Sequence, residues 1–155
     1  GLRLGKAAKQ VVTYCIRNDI GTLIVGYNTT FQRSSDLGRQ MNQVFVGIPF
    51  GILRRKLKYL CEMNGIRYVE QEESYTSMAS FWDLDEMPVY GEAGLVPPVF
   101  SGRRICRGLY QDRSGRRINA DVNGALNIMR KCNIVSLRAL YARGDVDTPV
   151  RIRIA

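Results

Sequence analysis

Two short runs, TLIVG at residues 22–26 and IRYVEQ at 66–71, bracket a stretch of opposite character. The first is continuously apolar, the pattern of a strand covered on both faces. Between them Pro49 opens an amphipathic helix, with Phe50, Leu53, Leu57, Leu60 and Cys61 on one face and Arg54, Arg55, Lys56 and Lys58 on the other. Asn64-Gly65 ends that helix as a left-handed cap would. Strand, helix and strand in succession argue for an α/β sheet layer. A helix over 5–17 precedes it and is broken at Asn18-Asp19 and Gly21. A last helix over 119–131 carries Val122, Ala125, Leu126 and Met129 on one face. Residues 27–47 read as a polar loop or hairpin, and no internal repeat is present.

Residues 82–118 break this rhythm. They begin acidic (Asp83, Asp85, Glu86), pass Gly94 and Pro97-Pro98, and end basic. From Arg103 to Arg117 there are six Arg against one Asp, a local charge of +5. The segment is too long for a plain loop and predicts an inserted subdomain. The expected organisation is therefore 1–81 for the sheet part, 82–118 for the insert, 119–132 for the last helix, and a peripheral basic tail over 133–155.

The chain of 155 residues suffices for one ordinary domain or a large piece of one. Its 23 Lys and Arg outweigh 14 Asp and Glu, for a net charge of +9, which points to a polyanionic partner. Arg103, Arg104, Arg107, Arg113, Arg116 and Arg117 suit phosphate through paired donors, and Tyr110 among them offers a stacking face. The alternative for this stretch, as for the Arg54–Lys58 face, is a solvated basic surface. With no His, every His-based triad, base or metal site is excluded, and acid–base or metal chemistry must rest on carboxylates. The four cysteines form no C-x-x-C pair, so no zinc is expected. They read as reduced thiols of a cytoplasmic protein, with Cys15 and Cys61 in the core. No apolar run is long enough to span a bilayer.

Three acidic positions stand out. Asp121 lies in the first turn of the last helix, where a carboxylate gains from the helix dipole. It also borders the apolar face through Ala125 and Ile128, where it could hold a divalent metal. Glu72 and Glu73 end the second strand, either as a surface pair or as oxygen ligands for Mg²⁺ that faces a phosphodiester. Asp19 and Asp36 each stand in a D-x-G that turn chemistry explains.

The stretch from Cys15 to Lys131 resembles the C-terminal half of the OrfB/TnpB proteins of bacterial insertion sequences. The matching segments are IGTLIVGYN (20–28), MNQVFVGIPFGILRRKLKYLCE (41–62), GIRYVEQEESYTSMASFWDLD (65–85), FSGRRICRGLY (100–110) and RINADVNGALNIMRK (117–131). ESYTS and NADVNGA mark the branch it is most similar to. The resemblance implies a RuvC/RNase H-like sheet with flanking helices, incomplete at its N-terminus. It also implies an RNA-guided, Mg²⁺-dependent DNA endonuclease related to type V CRISPR effectors, active in transposition and nucleoid-associated when bound to DNA. Asp121 falls on the last acidic residue of the catalytic triad. Gly26 stands where the second acidic residue usually lies, and Glu73 matches the relocated position found in some branches, with Glu72 as fallback. The first D-x-G strand would lie upstream of residue 1. Residues 82–118 take the place of the family's zinc ribbon but are cysteine-poor. Without the full triad, the alternative is an inactive, repressor-like protein that binds nucleic acid.

Overall fold

The computed structural model describes residues 2–28, 50–92, 94, 96, 98–134 and 137. The chain divides into two compact units, one holding described residues 2–25 and 50–70, the other 26–28 and those from 71 onward. Apart from Tyr27, which ends the first strand, and Asn28, the expected loop over 27–47 lies outside the described residues, as do Asp36 and nearly all of the basic tail.

In the first unit, helix α1 (Leu2–Arg17) packs on helix α2 (Phe50–Met63). Ala8, Val12 and Cys15 recur at spacings of four and three, so they share one stripe of α1. They are buried with Leu57 and Cys61 of α2 and with Ile66, and Ile20, Leu23, Val25, Leu53 and Leu60 pack around them. Burial raises both thiols above their ordinary value, with the neighbouring cysteine and Glu62 adding to the rise at Cys61. Neutral thiols of this kind act as small apolar side chains. Both helices stop where backbone chemistry dictates. After α1 the Ile20 N–H donates to the Cys15 carbonyl at 2.8 Å, with Asp19 at φ 54°. After α2 the Ile66 N–H donates to the Cys61 carbonyl at 2.9 Å, with Gly65 at φ 68°. Asp19, in the first D-x-G, is thus a helix-ending turn residue.

Strands β1 (Thr22–Tyr27) and β2 (Arg67–Glu72) form a two-stranded sheet. The Arg67 N–H donates to the Gly21 carbonyl and the Glu73 N–H to the Tyr27 carbonyl. The sequence offset is the same at both ends, which makes the pair parallel. β1 is half-buried along its whole length, where the apolar run predicts a strand covered on both faces. Only β2 pairs with it among the described residues, so its cover is incomplete.

In the second unit, strands β3 (Arg103–Cys106), β4 (Leu109–Gln111) and β5 (Arg117–Asn119) form an antiparallel sheet in that order, and helix α3 (Ala120–Cys132) follows. Phe81, Tyr110, Ile118, Ala120 and Leu126 make one core, with Trp82, Val122 and Met129 against it. That core runs across the boundary expected at 118/119. Ile118 on β5 and Ala120 and Leu126 on α3 bury each other's apolar surface, so strand and helix cannot be separate modules.

Gly65→Ala should cost about 1 kcal/mol, because only glycine occupies φ 68° without strain. Urea unfolding of the two proteins checks this.

Candidate active site and nucleic-acid surface

The NADVNGA segment places each of its polar residues by a different physical rule. Asn119 caps α3, its Oδ1 accepting from the N–H groups of Asp121 and Val122 at 2.9 and 3.1 Å. Asn123 and Asn127 lie one turn apart and are both fully buried. Asn123 donates to the Ala79 carbonyl at 2.8 Å and accepts from the Phe81 N–H at 3.1 Å. Asn127 donates to the carbonyls of Thr76 and Ala79 at 2.9 and 2.8 Å. Two side-chain amides thus satisfy a loop whose backbone groups have no sheet to join. Gly124 faces the same loop, with the Thr76 carbonyl 3.8 Å from where its Cβ would stand.

That loop begins at Glu73. Its N–H closes the β1–β2 ladder, and its carbonyl accepts from the Thr76 N–H at 3.2 Å and the Thr76 hydroxyl at 3.0 Å. Tyr75 then takes φ 63°, an unfavourable backbone for a bulky residue. Its ring is held 4.5 Å from Tyr90 and 5.7 Å from Phe100, centroid to centroid. The half-buried Glu73 side chain turns toward the end of β1. A Cβ on Gly26 would stand 2.5 Å from the Glu73 Oε2 and 2.7 Å from the Ile128 Cδ1. Glycine at 26 is therefore what admits the Glu73 carboxylate.

Glu72 points elsewhere. It is ion-paired with Lys131, and its Oε2 accepts from the Ser74 N–H at 2.9 Å. Lys131 also donates to the Ser74 carbonyl at 3.0 Å. Burial pushes the Glu72 carboxyl up, but the bonds from Lys131 and Ser74 outweigh it and hold the group below its usual range. Asp121 is exposed in the first turn of α3. By helical spacing it shares a stripe with Gly124 and Ile128, the residues that approach Thr76 and Gly26. Among the described residues, no three acidic or cysteine side chains gather as a metal site.

The arginines divide. In the antiparallel register Arg103 and Arg117 flank Gln111 in one cross-strand row, opposite in face to the buried row of Tyr110 and Ile118. Arg103, Arg104, Arg107, Arg113 and Arg117 are exposed. Arg116 instead lies over the Trp82 ring at 3.9 Å. Tyr110 corrects the sequence reading. It is 1% exposed and its hydroxyl donates to the Met78 carbonyl at 2.7 Å, so its ring is packed in the core and offers no face to a base. Its place in β4 opposite Ile118 is the cause. Burial first, then the carboxylates of Asp85 and Asp83, hold its phenol well above the ordinary range.

Carboxylates also pin the long connection that leads into this sheet. Asp85 accepts from the N–H groups of Ser80 and Ser101 at 2.8 and 2.9 Å and from the Ser101 hydroxyl at 2.6 Å. Asp83 accepts from the Arg113 N–H at 2.9 Å. Asp112, itself buried, accepts from the Arg116 N–H and the Ser114 hydroxyl, both at 2.8 Å. Sequence reading left these aspartates without a role, because acidic residues before a basic run look like solvated surface.

A family profile described as Cas12f1-like, TNB domain, matches residues 50–128, just over half of the chain, and the chain belongs to that family. The match spans α2, Glu73, the antiparallel sheet and Asp121, and it makes the protein a relative of the TnpB and Cas12 nucleases. A comparison with curated proteins finds no match. No helix among the described residues is long and apolar enough to cross a membrane.

Asn123→Ala should destabilise the protein by about 2 kcal/mol or more, since it strands the Phe81 N–H and half-satisfies the Ala79 carbonyl. Thermal unfolding checks it. Lys131→Met should cost about 3 kcal/mol at pH 7 by leaving Glu72 charged with its side chain only 12% exposed. Because the native Glu72 value is lowered, its contribution is present above the ordinary value near 4.5 and lost as pH falls through the folded value. The gap between variant and native stability should therefore narrow in acid, as read by unfolding at a series of pH values.

Proposed function

We propose that this chain is the C-terminal, RuvC-like portion of a transposon-type, RNA-guided DNA endonuclease that hydrolyses phosphodiester bonds with Mg²⁺. One observation carries the reading: the Glu73 carboxylate fills the space that a side chain on Gly26 would need. The acidic group that RuvC-like sheets carry at the end of this strand is thus supplied from the end of the neighbouring one. Glu72 is unsuited to the role, because Lys131 and Ser74 already engage both of its oxygens.

Glu73 and Asp121 would hold the metal. Their donor chemistry fits a hard cation, since both offer only oxygen and the chain has no His. When bound, Mg²⁺ supplies charge stabilisation at the phosphate and lowers the pKa of attacking water. The protein's own part is positional. Asn123 and Asn127 fix the loop that starts at Glu73, and the Lys131–Glu72 pair fixes the strand end beside it. Arg103, Arg104, Arg107, Arg113 and Arg117 bind the phosphate backbone of DNA or guide RNA, with Arg116 behind them on Trp82.

A second reading is a repressor-like protein that binds nucleic acid without cutting it. The observation in its favour is that no three candidate ligands gather among the described residues. One assay separates the two. In the complete enzyme, with labelled DNA, guide RNA and Mg²⁺, Glu73→Gln and Asp121→Asn should each lower cleavage by on the order of 100-fold or more while binding stays nearly intact. Cleavage that survives both changes overturns the site assignment. Binding without any cleavage by the unaltered complete enzyme selects the second reading.

A further inference from the structure

Beside β3 lies a hollow of about 440 Å³ whose walls are Met78, Phe100 and the edge of Tyr110, with Arg103 and Arg104 at its mouth. Ser77 and Gly102 complete the lining, so no carboxylate faces it. We propose that this hollow takes one unstacked base of a single-stranded nucleic acid, with Phe100 as its stacking face and Arg103 and Arg104 on the flanking phosphates. The inference rests on the nucleic-acid reading above and names the strand form and the residues that the basic surface alone leaves open.

Three observations carry it. The floor is rigid, because Phe100 packs against Tyr75 at 5.7 Å and Tyr75 against Tyr90 at 4.5 Å, centroid to centroid. A preordered ring loses little entropy on stacking. The Met78 side chain is 52% exposed, a soft and polarisable apolar surface at the edge of a basic face. The charge matches as well: two exposed arginines border an apolar floor in a chain of net charge +9. A base flanked by phosphates meets both demands, since its π face seeks an aromatic and its backbone seeks cations. A duplex hides its base faces in the stack and cannot use Phe100, so the occupant is a single strand. Gly102, also in the lining, lies so close to the Tyr110 ring and the Gln111 carbonyl that a Cβ would collide with both.

The test uses the full chain, without Mg²⁺, and single-stranded oligonucleotides carrying 2-aminopurine, which reports stacking by quenching. Binding should quench the probe. Phe100→Leu, which keeps an apolar group against Tyr75, should weaken binding about tenfold and abolish the quench. Met78→Ser, at a residue that is half exposed, should weaken binding several-fold. Arg104→Ala should lower the slope of log affinity against log salt by about 0.7, one phosphate contact. The expected partner preference is single strand over duplex of the same length. If Phe100→Leu and Met78→Ser bind and quench like the unaltered chain, the base site is wrong while the nuclease reading stands. Equal affinity for duplex and single strand overturns it too. If the chain binds neither form, both this inference and the nucleic-acid reading fail.

Discussion

Everything around Glu73 depends on two buried amides. The loop from Ser74 to Phe81 joins no strand, its own turns pair only part of its backbone, and unpaired backbone in a protein interior is costly. Asn123 and Asn127, one helical turn apart on α3, take up the carbonyls of Thr76 and Ala79 and the N–H of Phe81. A side-chain amide does for this loop what a neighbouring strand would do elsewhere. Because both amides lie on one helix whose cap, Asn119, precedes them by a few residues, the loop is tied to the same element that carries Asp121. Asp121 and the loop that begins at Glu73 are thereby held through a single helix.

The second unit shows how a small antiparallel sheet is held without cysteine pairs. Short strands of three or four residues bury little on their own. Here Asp83, Asp85 and Asp112 each accept from backbone N–H groups of a segment distant or turned back in sequence, and Tyr110 and Ile118 close the core beneath. Charge-assisted bonds of this kind are stronger than neutral ones, and they also choose a geometry. Their carboxylates are consumed in doing so. This explains how a segment with several acids still presents a basic exterior, with Arg103 and Arg117 on the outward row of the sheet.

Much of the secondary structure was legible in the residues. The helices at 5–17 and 119–131 and the strands on either side of α2 show in hydrophobic spacing and in the helix ends at Asn18-Asp19 and Asn64-Gly65, each appearing within a few residues of its place. The packing of β5 on α3 was not legible, because periodicity describes one element at a time and cannot show that Ile118 and Leu126 share a core. Tyr110 misled for the same reason. Between arginines it looks like a surface aromatic, yet its register against Ile118 turns it inward, and it is the half-buried Phe100, which no charge pattern marks, that lines the hollow beside the arginines.

By itself the sequence determined which chemistries are open. A chain with no His, no paired cysteines and an excess of cations can bind polyanions and can do metal or acid–base work only through carboxylates. It also determined where helices begin and end, because caps and glycines at positive φ act locally. Only the tertiary structure gave Glu72 and Glu73 different surroundings. They are neighbours with the same chemistry, and adjacent residues at a strand end point to opposite sides. One side holds Lys131 and Ser74, the other the bare glycine at 26, and that difference is a property of the packed chain alone.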